Sequence, residues 1–210
     1  MNALTLAELS RQAYGEAPPG TALAASGHIQ ALIVPGSPRV IAFRGTELGE
    51  RADVLTDLDM TLIPWPGGVG LIHRGFWQAY MSLIPMLFAE GASGPYHFTG
   101  HSLGGALAVI AAAELVWSGG DLHGVTTFGQ PRVGDVAFAN WCDRRLAERY
   151  VRIVRRGDPV PEFPSVLRGY AHDGLARHVG GFSLWRWVLR WRKSKYHSID
   201  SYIEALSEGG

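Results

Sequence analysis

Gly100-His101-Ser102-Leu103-Gly104 sets a serine between small residues at what reads as a strand-to-helix elbow. Tyr96-His97-Phe98-Thr99 upstream is strand-like, and Gly105 to Leu115 downstream is rich in helix formers and small packing residues. A G-x-S-x-G pattern needs that context, because the turn raises the serine hydroxyl above the sheet edge, where it can act as a nucleophile. Small neighbours relieve the crowding of so strained a turn. The plain structural alternative is a glycine-rich junction that merely contains a serine, and the matched strand and helix weigh against it.

A serine nucleophile needs a base, an acid to orient the base, and donors for a developing oxyanion. On this kind of elbow the chain order is Ser, then Asp or Glu, then His. Tyr150 to Val154 alternates like a strand and runs into Arg155-Arg156-Gly157-Asp158-Pro159, so Asp158 sits just past a strand end. An aspartate before proline is also a common turn residue, and position alone balances the two readings. After Asp158 come His172, His178 and His197. Spacing favours His197 only slightly, because it enters a short C-terminal amphipathic helix, while His172 and His178 fall in an expected glycine-containing loop from Tyr170 to Gly181. His28, His73, His97, His101 and His123 precede the acid and are expected to be structural. For the oxyanion, the backbone N–H of Leu103 follows the nucleophile, and Thr46 closes the apolar strand Val40-Ile41-Ala42-Phe43. Thr46 can offer a backbone N–H and a hydroxyl, a role compatible with capping a helix.

Five collinear stretches carry a resemblance to a known family: Phe43-Arg44-Gly45-Thr46, His73-Arg74-Gly75-Phe76, Thr99 to Ala106, Phe128-Gly129-Gln130-Pro131-Arg132-Val133-Gly134-Asp135, and Asp158-Pro159-Val160-Pro161. Together they resemble the class 3 (fungal-type) triacylglycerol lipases of the α/β-hydrolase fold. The resemblance implies Ser102 as nucleophile, Asp158 as the acid, His197 as the base before Ser-x-x-Ser-Tyr, and Thr46 and Leu103 as oxyanion donors. It implies a carboxylic ester hydrolase acting on acylglycerols or related lipid esters through an acyl-enzyme. Two other readings use the same residues: a non-catalytic binding module of this fold, and an acyltransferase or thioesterase. Two features depart from the family pattern. Pro159 follows the acid directly and restricts Asp158 toward extended geometry. Cys142 is the single cysteine, so no internal disulfide can form, and a packed thiol inside a helix is expected.

The elements that must position these residues form one expected domain over 1–210. With 47% hydrophobic and 18% charged residues, the chain can bury one substantial core. Strands are expected at His28–Val34, Arg39–Phe43, Tyr96–Thr99, Leu122–Phe128 and Tyr150–Val154. Helices are expected at Leu4–Tyr14, Gly75–Glu90, Leu103–Trp117, Asp135–Arg149 and Ser198–Leu206. Apolar strand runs between longer amphipathic segments predict an α/β fold with a mostly parallel central sheet and helices on both faces.

Nineteen basic and nineteen acidic residues cancel, so global charge does not favour nucleic acid. No cofactor or metal is expected: His97 and His101 are four apart but on a strand, and no phosphate-binding glycine loop is present. The partner expected is a small-molecule or lipid ester, and the sequence carries no signal of oligomeric state. The first residues read as an amphipathic helix with Glu8 and Arg11, not a signal peptide, which favours a cytoplasmic setting. Glu47 to Leu58, where relatives carry a lid, mixes Leu48, Val54, Leu55 and Leu58 with five charges and reads as a weak amphipathic cover. Leu184 to Lys193 sets Trp187 and Trp191 beside Arg186, Arg190 and Lys193. That composition suits a helix in a lipid interface, while packing of these tryptophans over the sheet or acyl pocket is the favoured alternative.

Overall fold

A computed structural model of the chain describes residues 1–45, 59–87, 94–181 and 194–208. Thr46, the lid-like stretch 47–58, and Trp187 and Trp191 lie outside the described residues. The expectations for them are therefore carried by sequence alone.

The chain opens with α1 (Ala3–Gln12), whose first turn is capped by the Asn2 side chain accepting from Thr5 N at 2.8 Å. It continues through β1 (Ala22–Ser26), β2 (Ile29–Val34), β3 (Arg39–Phe43), β4 (Leu62–Pro64), β5 (Leu71–His73) and α2 (Arg74–Leu87). Next come β6 (Tyr96–His101), α3 (Leu103–Trp117), β7 (Leu122–Phe128), β8 (Gly134–Asp135), α4 (Val136–Leu146) and β9 (Tyr150–Arg155). It closes with β10 (Tyr170–Ala171), β11 (Leu175–Val179), the single turn α5 (Ser194–His197) and α6 (Ile199–Glu208).

Among the described residues the main sheet has seven strands in the order β1-β2-β3-β6-β7-β9-β11. β1, β2 and β3 pair antiparallel, and every pairing from β3 to β11 is parallel. A smaller four-stranded sheet, β10-β8-β5-β4, flanks it. The expected strands and helices are present, Arg39–Phe43, Leu103–Trp117 and Leu122–Phe128 with the expected ends and the others with shifted ends. Asp135–Arg149 resolves into α4 plus a separate 3-10 turn at Ala147–Arg149.

Two segments differ from expectation. Ala22–Ser26 is a strand, joined to β2 by a two-residue turn in which Gly27 takes φ 59°, as such hairpin turns require. Its alanines carry little strand propensity, so pairing rather than local preference makes it a strand. Leu175–Val179, expected within a loop, is instead the parallel edge strand beside β9. None of its side chains is buried, so the alternation that announces a half-buried strand is missing.

The faces of the main sheet are covered by different helices. On one, α2, α3 and α4 pack over Ile41, Phe43, Phe98 and Val125 in a large apolar core. On the other, α1 and α6 pack over Val40, Phe128 and Ile153. Strand alternation sorts the residues: Tyr96 and Phe98 of β6 join the first core. Thr99 and His101, on the opposite side of the same strand, meet Ser10 and Tyr14 at the end of α1. The first eleven residues of α3, from Leu103 to Ala113, are all buried, consistent with a helix apolar on every side there. It can lie this close because a Cβ on Gly104 would overlap the Phe43 carbonyl, and one on Gly100 would overlap the Gly104 backbone.

Candidate active site

Ser102 sits between the end of β6 and the start of α3 with φ 57° and ψ −127°, a conformation that costs a non-glycine residue about 1–3 kcal/mol. A serine in this place ordinarily caps its helix, but the Ser102 hydroxyl makes no capping bond. Its backbone is pinned instead, with Ser102 N donating to Phe128 O at 2.9 Å. Leu103 is the first residue of α3, so its N–H belongs to the turn that has no intrahelical acceptor, as an oxyanion donor must. Gly45 packs against the Ser102 Cβ, the His101 carbonyl and the Tyr14 hydroxyl, and a Cβ there would overlap the latter two. The loop expected to supply the second donor thus reaches the elbow one residue before Thr46.

Asp158 and His197 are brought together. His197 Nδ1 lies 2.8 Å from Asp158 Oδ2 and 3.0 Å from Oδ1, with the histidine side chain 2% and the aspartate side chain 0% exposed. A carboxylate can only accept, so Nδ1 carries the proton and Nε2 keeps its lone pair. Val160 N donates to Asp158 Oδ1 at 2.9 Å, and the Tyr202 hydroxyl donates to Oδ2 at 2.5 Å. The first of these bonds explains Asp158-Pro159-Val160: the loop folds back on its own carboxylate, an Asx-type turn compatible with the proline. Burial and the nearby Asp158 charge raise the Tyr202 hydroxyl well above an ordinary tyrosine, so it remains a donor at any working pH.

Serine and histidine converge on the end of β7. Ser102 is bonded to Phe128, and the next residue, Gly129, has φ 58° and touches the acid and base. A Cβ on Gly129 would come within 2.7 Å of Asp158 Oδ2, 2.9 Å of Tyr202 Oη and 3.1 Å of His197 Cε1. Only glycine fits both the backbone conformation and the space. Ser102 Oγ and His197 Nε2 are buried and have no hydrogen-bond partner among the described residues. Those are the two atoms between which an acyl transfer would pass its proton.

His172 and His178, the alternatives left open by spacing, lie elsewhere. His172 Nε2 bonds the Pro161 carbonyl at 2.5 Å, and burial lowers its pKa to about 3. His178 is on the exposed edge strand β11, beside Arg177. His97 and His101 have separate partners: His97 Nε2 lies 3.2 Å from Thr126 Oγ1, whereas His101 engages Tyr14 and His197.

The model of the family described as Lipase (class 3) matches residues 40–167. This chain is a class 3 lipase family member. It is 38% identical over 110 residues to secreted mono- and diacylglycerol lipase 1 of Fusarium solani, an alignment covering 48% of this chain and 32% of the relative. It is 33% identical over 146 residues to a lipase of Rhizomucor miehei, covering 64% of this chain and 39% of that protein. The matches thus span about a third to two fifths of the length of these relatives. Among solved structures, a triacylglycerol lipase described as having a serine protease triad at its catalytic centre superposes with TM-score 0.70 at 25% identity, over 85% of this chain and 79% of that one. The fold is that of the α/β-hydrolases, with a mostly parallel central sheet.

Several motif residues of this class 3 lipase family member act by holding the site together. Arg132 Nη1 donates to Pro164 O at 2.8 Å and Nη2 pairs with Glu162 Oε2 at 3.0 Å, which ties down the loop that begins at Asp158. Asp135 Oδ1 caps α4 through Phe138 N at 2.8 Å and also accepts from Leu71 N at 3.0 Å. Gln130 Oε1 accepts from Thr127 Oγ1 at 2.6 Å and Tyr150 Oη at 2.7 Å under the elbow. His73 stacks on Phe76 with centroids 3.7 Å apart, and burial lowers its pKa to about 4.

Tyr202, Gly129 and Arg132 stood in the sequence only as members of motif stretches, with no role assigned to them. A tyrosine five residues after the base and a glycine at the end of a strand were visible there, but they lie 44 and 29 positions from Asp158 in the chain. Only the fold makes them neighbours.

Proposed function

We propose that this chain hydrolyses carboxylic esters of lipids, with Ser102 as nucleophile, His197 as general base and Asp158 as the acid that orients it. The observation that carries this reading is the Asp158–His197 contact, which leaves Nε2 the basic nitrogen, together with two buried atoms, Ser102 Oγ and His197 Nε2, that have no hydrogen-bond partner among the described residues. Ser102 Oγ attacks the ester carbonyl carbon while its proton passes to Nε2, and the carbonyl π electrons move onto oxygen. The resulting oxyanion meets the N–H of Leu103 and, by family resemblance, Thr46. Each such donor is worth about 3–4 kcal/mol of transition-state stabilisation. Collapse breaks the C–O bond to the alcohol, which leaves with the proton from His197. Water, deprotonated by the same nitrogen, then releases the acid and restores Ser102.

Acylglycerols are the substrate class we favour, because a matched Fusarium relative is named a mono- and diacylglycerol lipase and the superposed enzyme a triacylglycerol lipase. We further propose that residues 1–210 act as one catalytic domain that needs no metal or cofactor. The test is turnover of a short p-nitrophenyl ester and of a diacylglycerol emulsion by wild type and Ser102→Ala, beside labelling by a fluorophosphonate. Wild type should hydrolyse both and be labelled at Ser102. Equal turnover by Ser102→Ala would overturn the reading.

A further inference from the structure

The elbow histidine that the sequence sets aside makes the least expected contact in the site. His101 Nε2 lies 2.5 Å from the backbone carbonyl of His197, and His101 Nδ1 lies 2.9 Å from the Tyr14 hydroxyl. A carbonyl can only accept, so Nε2 carries the proton. Nδ1 is then a bare acceptor, and the Tyr14 O–H must donate to it. The chain of bonds has a single polarity: Tyr14 O–H to His101, and His101 N–H to the main chain of His197.

We infer that the Tyr14–His101 pair is a positioning relay that holds the main chain of His197 in register with Ser102, making the end of α1 part of the catalytic apparatus. The inference rests on the triad reading above. His101 and Ser102 are consecutive at the end of β6, a strand whose six residues are all buried. One rigid strand end therefore carries the nucleophile directly and, through one side chain, the backbone of the base. The neighbouring carbonyls on the base segment are held otherwise: Tyr196 O and Ser198 O share the single O–H of Ser201, at 2.9 and 2.7 Å, and Ser198 O also accepts from Ser201 N at 3.0 Å. The carbonyl between them, that of His197, is taken by the strand rather than by α6.

The relay is built to stay neutral. Burial first, and the adjacent His197 second, lower the His101 pKa well below that of an ordinary histidine. The two rings have centroids 4.6 Å apart, so a charge on His101 would oppose the imidazolium that His197 becomes during catalysis. A neutral ring that still donates one hydrogen bond avoids this conflict. Tyr14 is set in turn by its surroundings: the Arg44 guanidinium lies over its ring at 5.6 Å, and its hydroxyl fills the space above Gly45. The same tyrosine thus touches the loop entering the oxyanion side and, through His101, the base.

Tyr14→Phe, His101→Leu and His101→Gln in the full chain test this, with kcat and KM on a soluble p-nitrophenyl ester expressed per active site titrated by a fluorophosphonate. Glutamine keeps an N–H donor for the His197 carbonyl, whereas leucine does not. His101→Leu should lower kcat per site by up to about 100-fold, the scale of a small misplacement of a reacting group, with KM little changed. His101→Gln should recover most of that loss, and Tyr14→Phe should show a smaller fall in kcat. A merely structural pair would lower the melting temperature or the titratable fraction and leave kcat per site alone. If His101→Leu does not fold, Tyr14→Phe, which keeps the ring, decides the matter. Wild-type kcat per site in Tyr14→Phe and His101→Leu, with activity lost in Ser102→Ala, would overturn this inference alone. Equal turnover in wild type and Ser102→Ala would overturn the triad reading and this inference together.

Discussion

The two faces of the main sheet divide the work of the molecule. On the α2–α3–α4 face eleven consecutive buried residues of α3, all Leu, Ala, Val, Ile or Gly, dominate the packing, with one buried polar cluster of Thr127, Gln130, Tyr150 and Asp173 beside them. The α1–α6 face holds far fewer apolar side chains, with Leu6, Ala7, Phe128, Ile199 and Tyr202 among them. Between these run hydrogen bonds joining Ser10 to Thr99 and Tyr202 to Asp158, both buried, and Tyr14 to His101, partly buried. The first face gains stability from area removed from water, which is insensitive to direction. The second spends buried polar groups, each of which must find a partner of fixed geometry. Directional contacts place atoms, and so the candidate catalytic residues are tied to that face even though the elbow itself is packed from the other.

That division can be broken from either side. The largest effect is expected for Asp158→Asn, which preserves shape but lets His197 Nδ1 lose its obligate acceptor. By analogy with other Ser-His-Asp sites, kcat should fall about 10⁴-fold. Steady-state kinetics beside a thermal melt checks it, and a near-normal kcat would remove the orienting role from Asp158. On the apolar face, Ile110→Ala should cost about 2–5 kcal/mol of unfolding free energy by leaving a cavity. Measured by urea denaturation, that loss should leave kcat per folded enzyme unchanged; a parallel drop in kcat would show that the two faces are not separable.

Acid should weaken the fold through histidines that are buried neutral. His73 and His97 are pushed down to about 4 and His172 to about 3, chiefly by burial. The unfolded chain binds protons at these sites below about pH 6.5, whereas the folded chain does not until near pH 4 or 3. Stability is therefore full above that upper value and falls as pH drops toward the folded values. Fully expressed, each of these displacements corresponds to roughly 3–5 kcal/mol. Urea midpoints between pH 7 and 4 should fall steadily, and His97→Gln should flatten part of the slope. A pH-independent midpoint would refute the burial argument.

The smallest effect, and the sharpest test of the polar face, is Tyr202→Phe. Losing one donor to Asp158 should lower kcat about tenfold, the kinetic equivalent of one charged hydrogen bond. Arg155 N, which donates to Tyr202 Oη at 3.1 Å, would lose its acceptor as well, so a modest drop in melting temperature should accompany it. Unchanged kcat would show that Val160 N–H alone holds the carboxylate.

The elbow, the strand ends and the helices α1, α2, α3 and α6 were legible from local pattern, because apolar runs and amphipathic periods are properties of neighbouring residues. The candidates Ser102, then Asp158, then one of His172, His178 and His197 were likewise read from local pattern and chain order. Spacing could not choose His197 over His172 and His178, since that choice depends on which loops meet above the sheet. Nor did the exposed strand β11 announce itself: its five residues bury nothing, and only pairing with β9 makes them a strand. The support around the site was hidden more deeply. Asp158 receives Tyr202 from 44 residues away, and His101 receives Tyr14 from 87 residues away and meets His197 at 96. A sequence determines which side chains can donate, accept or ionise. Which donor faces which acceptor is decided when parallel strands bring the ends of β6, β7 and β9 side by side and α1 and α6 close over them.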